Sequence, residues 1–140
     1  MNLNPVKQIY AFNKEAGLLS QGYSDERECA FPIEEALENS SYKDPKNASR
    51  KLTENIFEEE VEDVNRLDKH LDIIVFSLGS IFKLGLSPQE AMKALGVVAN
   101  KNMEKLTVST DAEGKQLKPD NFVGPEKELQ KILDVVSARG

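Results

Sequence analysis

Two short acidic segments hold the residue types that could do metal chemistry. In Ile33-Glu34-Glu35-Ala36-Leu37-Glu38, Glu35 and Glu38 stand three apart, so a helix puts both side chains on one face, one turn apart. In Asp68-Lys69-His70-Leu71-Asp72 two aspartates stand four apart at the start of an apolar run. Ile33 and Leu37 flank the first pair, and Leu67, Leu71, Ile74 and Val75 the second, which predicts carboxylates at the rim of a helical core. Like charges gathered there repel and lose hydration, and a divalent cation relieves both. The spacing therefore predicts a Mg²⁺ site between two helices. Against it stands the reading of both pairs as solvated helix faces, or as Glu complementing a helix dipole.

The elements that must position these acids follow from helical signals alone. Asn4 and Pro5 predict a cap and first position for a helix whose buried stripe is Val6, Ile9, Tyr10, Phe12 and Ala16, weakened at Gly17. Ser20 to Tyr23 reads as a turn, and Ser24 opens a second helix that Pro32 either kinks or restarts. Residues 39–47 read as a loop. Apolar residues at steps of three and four from Leu52 to Phe82 then predict one long helix, apolar nearly all round in its later half. Gly85 stops it. Ser87-Pro88-Gln89-Glu90 is a capping box that starts a helix running to about Leu106, and residues 107–124 read as a loop. Pro125 opens a last helix with Leu129, Ile132, Leu133 and Val136 on its apolar face. No strand alternation competes. The expectation is an all-α antiparallel helical bundle, a single domain over 1–140, completed by oligomerisation because the third helix is too apolar for one small bundle to cover.

Composition narrows the partners. The chain has 140 residues, 39% of them hydrophobic, and a net charge of -6. That charge argues against a grip on a nucleic-acid polymer or an anionic membrane, while leaving free nucleotides open, since a metal can carry the missing positive charge. One cysteine, Cys29, excludes an internal disulfide and is expected to be a packing residue. There is no signal-peptide pattern and no run long enough to span a bilayer, so a cytoplasmic protein is expected. His70, the lone histidine, lies off the face of the two aspartates and is expected to pack or be solvated rather than act as a base.

Taken in order, Glu34-Glu35-x-x-Glu38, Asp72-Ile73-Ile74-Val75, Asn102-x-x-Lys105, Gly114-Lys115 and Pro125 resemble the pattern of the all-α nucleoside triphosphate pyrophosphohydrolases. That family includes the MazG-like proteins, phosphoribosyl-ATP pyrophosphohydrolase and the dimeric dUTPases, and the resemblance spans about residues 30 to 135. It implies a homodimer or homotetramer that uses Mg²⁺, with Mn²⁺ as a substitute, to release pyrophosphate from a nucleotide and leave a monophosphate. It also implies Glu34, Glu35, Glu38, Asp68 and Asp72 as the metal group, with Asn102 and Lys105 near the phosphates. MazG proteins usually carry a glutamate where this chain has Lys69, one residue after Asp68.

In such a site a carboxylate not fully used by the metal takes the proton of the attacking water; Glu38 is the candidate and Glu35 the alternative. Charge spreading over the transferred group calls for cations, which Lys105, Lys115 and Lys118 could supply. Asn102 and Lys105 can equally be ordinary residues at a helix C-terminus. A reading from another class is a non-catalytic acidic helical module that binds protein partners through its apolar helix.

Overall fold

Helix starts are written plainly in this chain, and the structure, a computed structural model describing residues 4–107, 112–113 and 122–140, uses them. Asn4 Oδ1 accepts from the Val6 and Lys7 N–H groups and Pro5 takes the first position of α1 (Pro5–Glu15). Ser24 Oγ accepts from Arg27 N–H to open α2 (Asp25–Leu37), and Asp44 accepts from Asn47 N–H ahead of α3 (Pro45–Thr53). The longest helix is α4 (Asp63–Lys83). In α5 (Pro88–Glu104) both bonds of the predicted capping box form, Glu90 N–H to Ser87 Oγ and Ser87 N–H to Glu90 Oε1. After it come a 3-10 turn (Lys105–Thr107) and the last helix, α6 (Glu126–Arg139). The described residues form no strand, so the fold is all-α. No single helix among them is long and apolar enough to cross a membrane.

One open alternative closes and two expectations fail, each for a physical reason. Pro32 sits inside α2 without restarting it, so Glu34 and Glu35 occupy the last turn, the end where the helix dipole disfavours acids. Asn39, left-handed at φ 62°, then ends the helix in the way asparagine allows. The expected single helix from Leu52 to Phe82 is two: α3 begins inside the presumed loop at Asp44-Pro45, and Asn55 at φ 55° stops it. Between α3 and α4 lie Glu58, Glu59, Glu60 and Glu62, and a helix through them would stack like charges one turn apart. Third, the stripe of α1 is turned: Val6 and Tyr10 are 69% and 60% exposed, while Phe12 and Ala16 lie partly covered on the other side.

Contacts divide the chain into two compact units, Met1–Gln21 with Ile73–Gly140, and Gly22–Asp72. In the first, α5 packs against both α1 and α6. Its buried residues among those described are Pro5, Leu86, Ala91, Ala99 and Ile132, and Gln8 Nε2 donates to Asn100 Oδ1 at 2.7 Å across α1 and α5. Gly85, at φ +100°, passes so near Val136 that a Cβ would stand 2.8 Å from its side chain, which is why the turn before α5 requires glycine. In the second unit α2 packs on α3 over Cys29, Ala30, Ser49 and Thr53, all buried; Cys29 is a free packing thiol. Among the described residues α4 joins none of these close helix pairs and has no buried residue.

Candidate functional site

All five acids singled out for a metal lie in the second unit, in two different states. Glu34 is 8% exposed and its carboxylate holds Arg50 at 2.8 Å; Arg50 also stacks over the Phe31 ring at 5.2 Å and donates to Ser49 Oγ at 2.8 Å. Glu34 is thus a structural acid that binds α3 to the unfavourable end of α2. Glu35 and Glu38 are exposed. Because α2 stops at Leu37, Glu38 is its C-cap, with extended backbone at ψ 143°, and no longer shares a helical face with Glu35. Asp68 and Asp72 stand one turn apart on α4, both exposed, and neither has an ion pair or side-chain hydrogen bond among the described residues.

Their apolar neighbours do not make a core. Leu67, Leu71, Ile74 and Val75 are 61%, 49%, 53% and 64% exposed, so the aspartates border an open stripe. Among the described residues no three His, Cys, Asp or Glu side chains converge closely enough to hold a metal ion. As they stand in the single chain, these carboxylates do not fit Mg²⁺, which demands near-octahedral oxygens at about 2.1 Å.

The opposite face of α4 holds what the sequence did not announce. Asp25, at the start of α2, accepts from Arg66 Nη2 at 3.0 Å and Nε at 3.3 Å, and Lys69 Nζ adds a contact at 3.5 Å. The Arg66 hydrogen bonds hold the Asp25 carboxyl below its usual range. Arg66 lies over the Tyr23 ring at 4.9 Å, and the Tyr23 hydroxyl meets His70 Nε2 at 2.9 Å. Desolvation, with the neighbouring Asp25 carboxylate, pushes that hydroxyl up to about 12, so it stays protonated. His70 packs edge-on to Tyr23, with ring centroids 5.9 Å apart. Lys69, where the family pattern has an acid, sits over Phe57 at 4.9 Å and faces Asp25; an acid there would meet a carboxylate of its own sign. No periodicity joins residues 23–25 to 66–70, so this cluster had no sequence signal.

Asn102 and Lys105, expected from the sequence to lie near phosphates, belong to the first unit. Lys105, the C-cap of α5, donates to Asn102 Oδ1 at 3.2 Å and lies over Phe122 at 5.4 Å, so the two are held together one turn apart. Gly114, Lys115 and Lys118 lie outside the described residues. An apolar cavity of about 270 Å³ in this unit is lined by Leu86, Leu95, Val98, Leu129, Ile132 and Leu133 among others, with no polar side chain to grip a phosphate. A second, of about 340 Å³ between α5 and α6, carries Lys93 and Lys131 beside Glu90 and Glu128. Set beside known proteins, the chain matches no family model, no curated protein and no solved structure.

Proposed function

We propose that this chain is a Mg²⁺-dependent nucleoside triphosphate pyrophosphohydrolase that cleaves the α–β phosphoanhydride to a nucleoside monophosphate and pyrophosphate. The observation that carries the proposal is the accessibility of its acids. Glu35 and Glu38 at the end of α2, and Asp68 and Asp72 on α4, are exposed and belong to one compact unit. The ordered run of Glu-Glu-x-x-Glu, Asp before an apolar helix, and Asn-x-x-Lys supports the same reading.

In the reaction a water attacks the α-phosphorus, the bond to the bridging oxygen breaks, and the proton passes to a carboxylate, Glu38 or alternatively Glu35. Asn102 and Lys105 are the groups offered to the phosphates, with Lys115 and Lys118 as further cations. The proposal requires the acids to converge when metal and nucleotide arrive, and the working form to be a homodimer or homotetramer. A panel of nucleoside triphosphates, incubated with Mg²⁺ or with a chelator and scored by product, tests it. Pyrophosphate and monophosphate should appear only with the metal, Mn²⁺ substituting; orthophosphate alone, or no turnover across the panel, would refute the proposal.

The open apolar face of α4 favours a second reading, a non-catalytic acidic module for protein interaction. Thermal stability separates the two. Only the enzyme predicts a saturable rise with Mg²⁺.

A further inference from the structure

We propose that the cleft between α5 and α6 binds a small amphipathic anion, a carboxylate or phosphate group carried on a short apolar body. The cleft measures about 340 Å³ and is walled by Glu90, Lys93 and Val97 of α5 and by Glu128, Lys131, Ile132 and Val135 of α6. Both helices belong to one compact unit, so the cleft lies wholly inside it.

Charge sets the sign of the occupant. Each lysine has a glutamate three residues before it on its own helix, the usual partner across a turn, and in neither case does the structure form that pair. Glu90 is turned to Arg139 Nη2 at 2.8 Å and to the Ser87 N–H at 2.9 Å. Glu128 lies 3.8 Å from Lys101 Nζ, which also holds Glu104 at 3.3 Å. The two acids of the wall thus take their cations from elsewhere, while Lys93 and Lys131 have no ion pair or side-chain hydrogen bond among the described residues. Two ammonium groups left in this way, one on each helix, call for an anion between them.

The apolar wall and the volume set the rest of the ligand. Ile132 is buried, Val97 is partly covered, and Val135, 55% exposed, carries the apolar surface out to solvent. Bare phosphate would leave that surface wet, and a hydrocarbon would leave the lysines unpaired. A cleft of about 340 Å³ is roughly eleven times the ~30 Å³ that a water takes in the liquid, so a body on the order of eight carbons fits beside the headgroup. The site uses none of the acids of the second unit, nor Asn102 or Lys105, and it stands whether or not the chain hydrolyses nucleotides.

Titration of the whole isotopically labelled chain at low salt, followed by NMR shifts, tests it with octanoate and hexyl phosphate as probes. At least one should bind saturably, moving the signals of Lys93, Val97, Lys131 and Val135, and the tighter of the two identifies the headgroup. Octanol, octylammonium and inorganic phosphate, each lacking one half of the chemistry, should bind more weakly by roughly tenfold or more. Lys93→Gln with Lys131→Gln, both at exposed positions, should lower the affinity for the anion roughly tenfold and leave the helical circular dichroism unchanged. Should that variant unfold, the wild-type comparison of octanoate with octylammonium decides. The proposal is overturned by no saturable shift with either anion, by octanol or octylammonium binding as tightly, by shifts centred instead on the apolar cavity at Leu86 and Leu133, or by an affinity indifferent to the two glutamines.

Discussion

Glu34 and Asp72 are both acids of the second unit set beside apolar neighbours in sequence, and the structure treats them in opposite ways. Glu34 is buried against Arg50, whereas Asp72 is exposed on a helix whose apolar side is open. A carboxylate next to leucines in sequence is therefore not yet a site. What separates the structural acid from the available one is a partner cation within hydrogen-bonding reach, and that partner, Arg50, comes from a different helix.

The sharpest way to break this contrast is to truncate the buried member. Glu34→Ala takes from the Arg50 guanidinium, 23% exposed, the carboxylate that it reaches at 2.8 Å, and should destabilise by about 3 kcal/mol in denaturant unfolding. Adding Arg50→Met should recover part of that loss, because removing both charges spares the desolvation that removing one imposes. If Glu34→Ala proved neutral, the two acids would not differ in kind.

Asp72→Asn is the counterpart. It removes one charge from an exposed side chain that has no ion pair among the described residues, so stability should change by no more than about 0.5 kcal/mol. Turnover with Mg²⁺ should fall close to background. Clear destabilisation with turnover and Mg²⁺ response intact would instead make Asp72 a structural acid like Glu34.

The same contrast explains what could be read from the sequence. Helix starts were legible because a cap is local: Asn4-Pro5, Ser24 and Ser87-Pro88-Gln89-Glu90 satisfy N–H groups only two or three residues away. The break between α3 and α4 was missed although its parts were visible, an asparagine stop followed by a crowd of glutamates, because apolar spacing persisted across it. The exposed stripe of α4 was legible as an excess of apolar residues. The Glu34–Arg50 and Asp25–Arg66 pairs were not, since each joins residues on different helices through a guanidinium, and a guanidinium in sequence does not say which carboxylate it will reach.

A third acid, Glu90, refines the contrast at the small end of the scale. It lies in the first unit, accepts from Arg139 at 2.5 and 2.8 Å and from the Ser87 N–H at 2.9 Å, and these bonds, Arg139 first, hold its pKa down from 4.5 to about 2. A carboxyl depressed in the folded state binds its proton more readily when unfolded. Its stabilisation is therefore complete above the unfolded value of 4.5 and is lost as pH falls towards 2. Arg139→Met should shrink that loss, so the fall in unfolding free energy between about pH 6 and about pH 3 becomes smaller than in the wild type. The capping-box bond from Ser87 survives the change, and Arg139 is 48% exposed, so the effect should be modest and weaken further in salt. Parallel acid limbs for the two proteins would mean that the arginine does not hold Glu90 in solution, and that a close surface pair must be set apart from the buried one at Glu34.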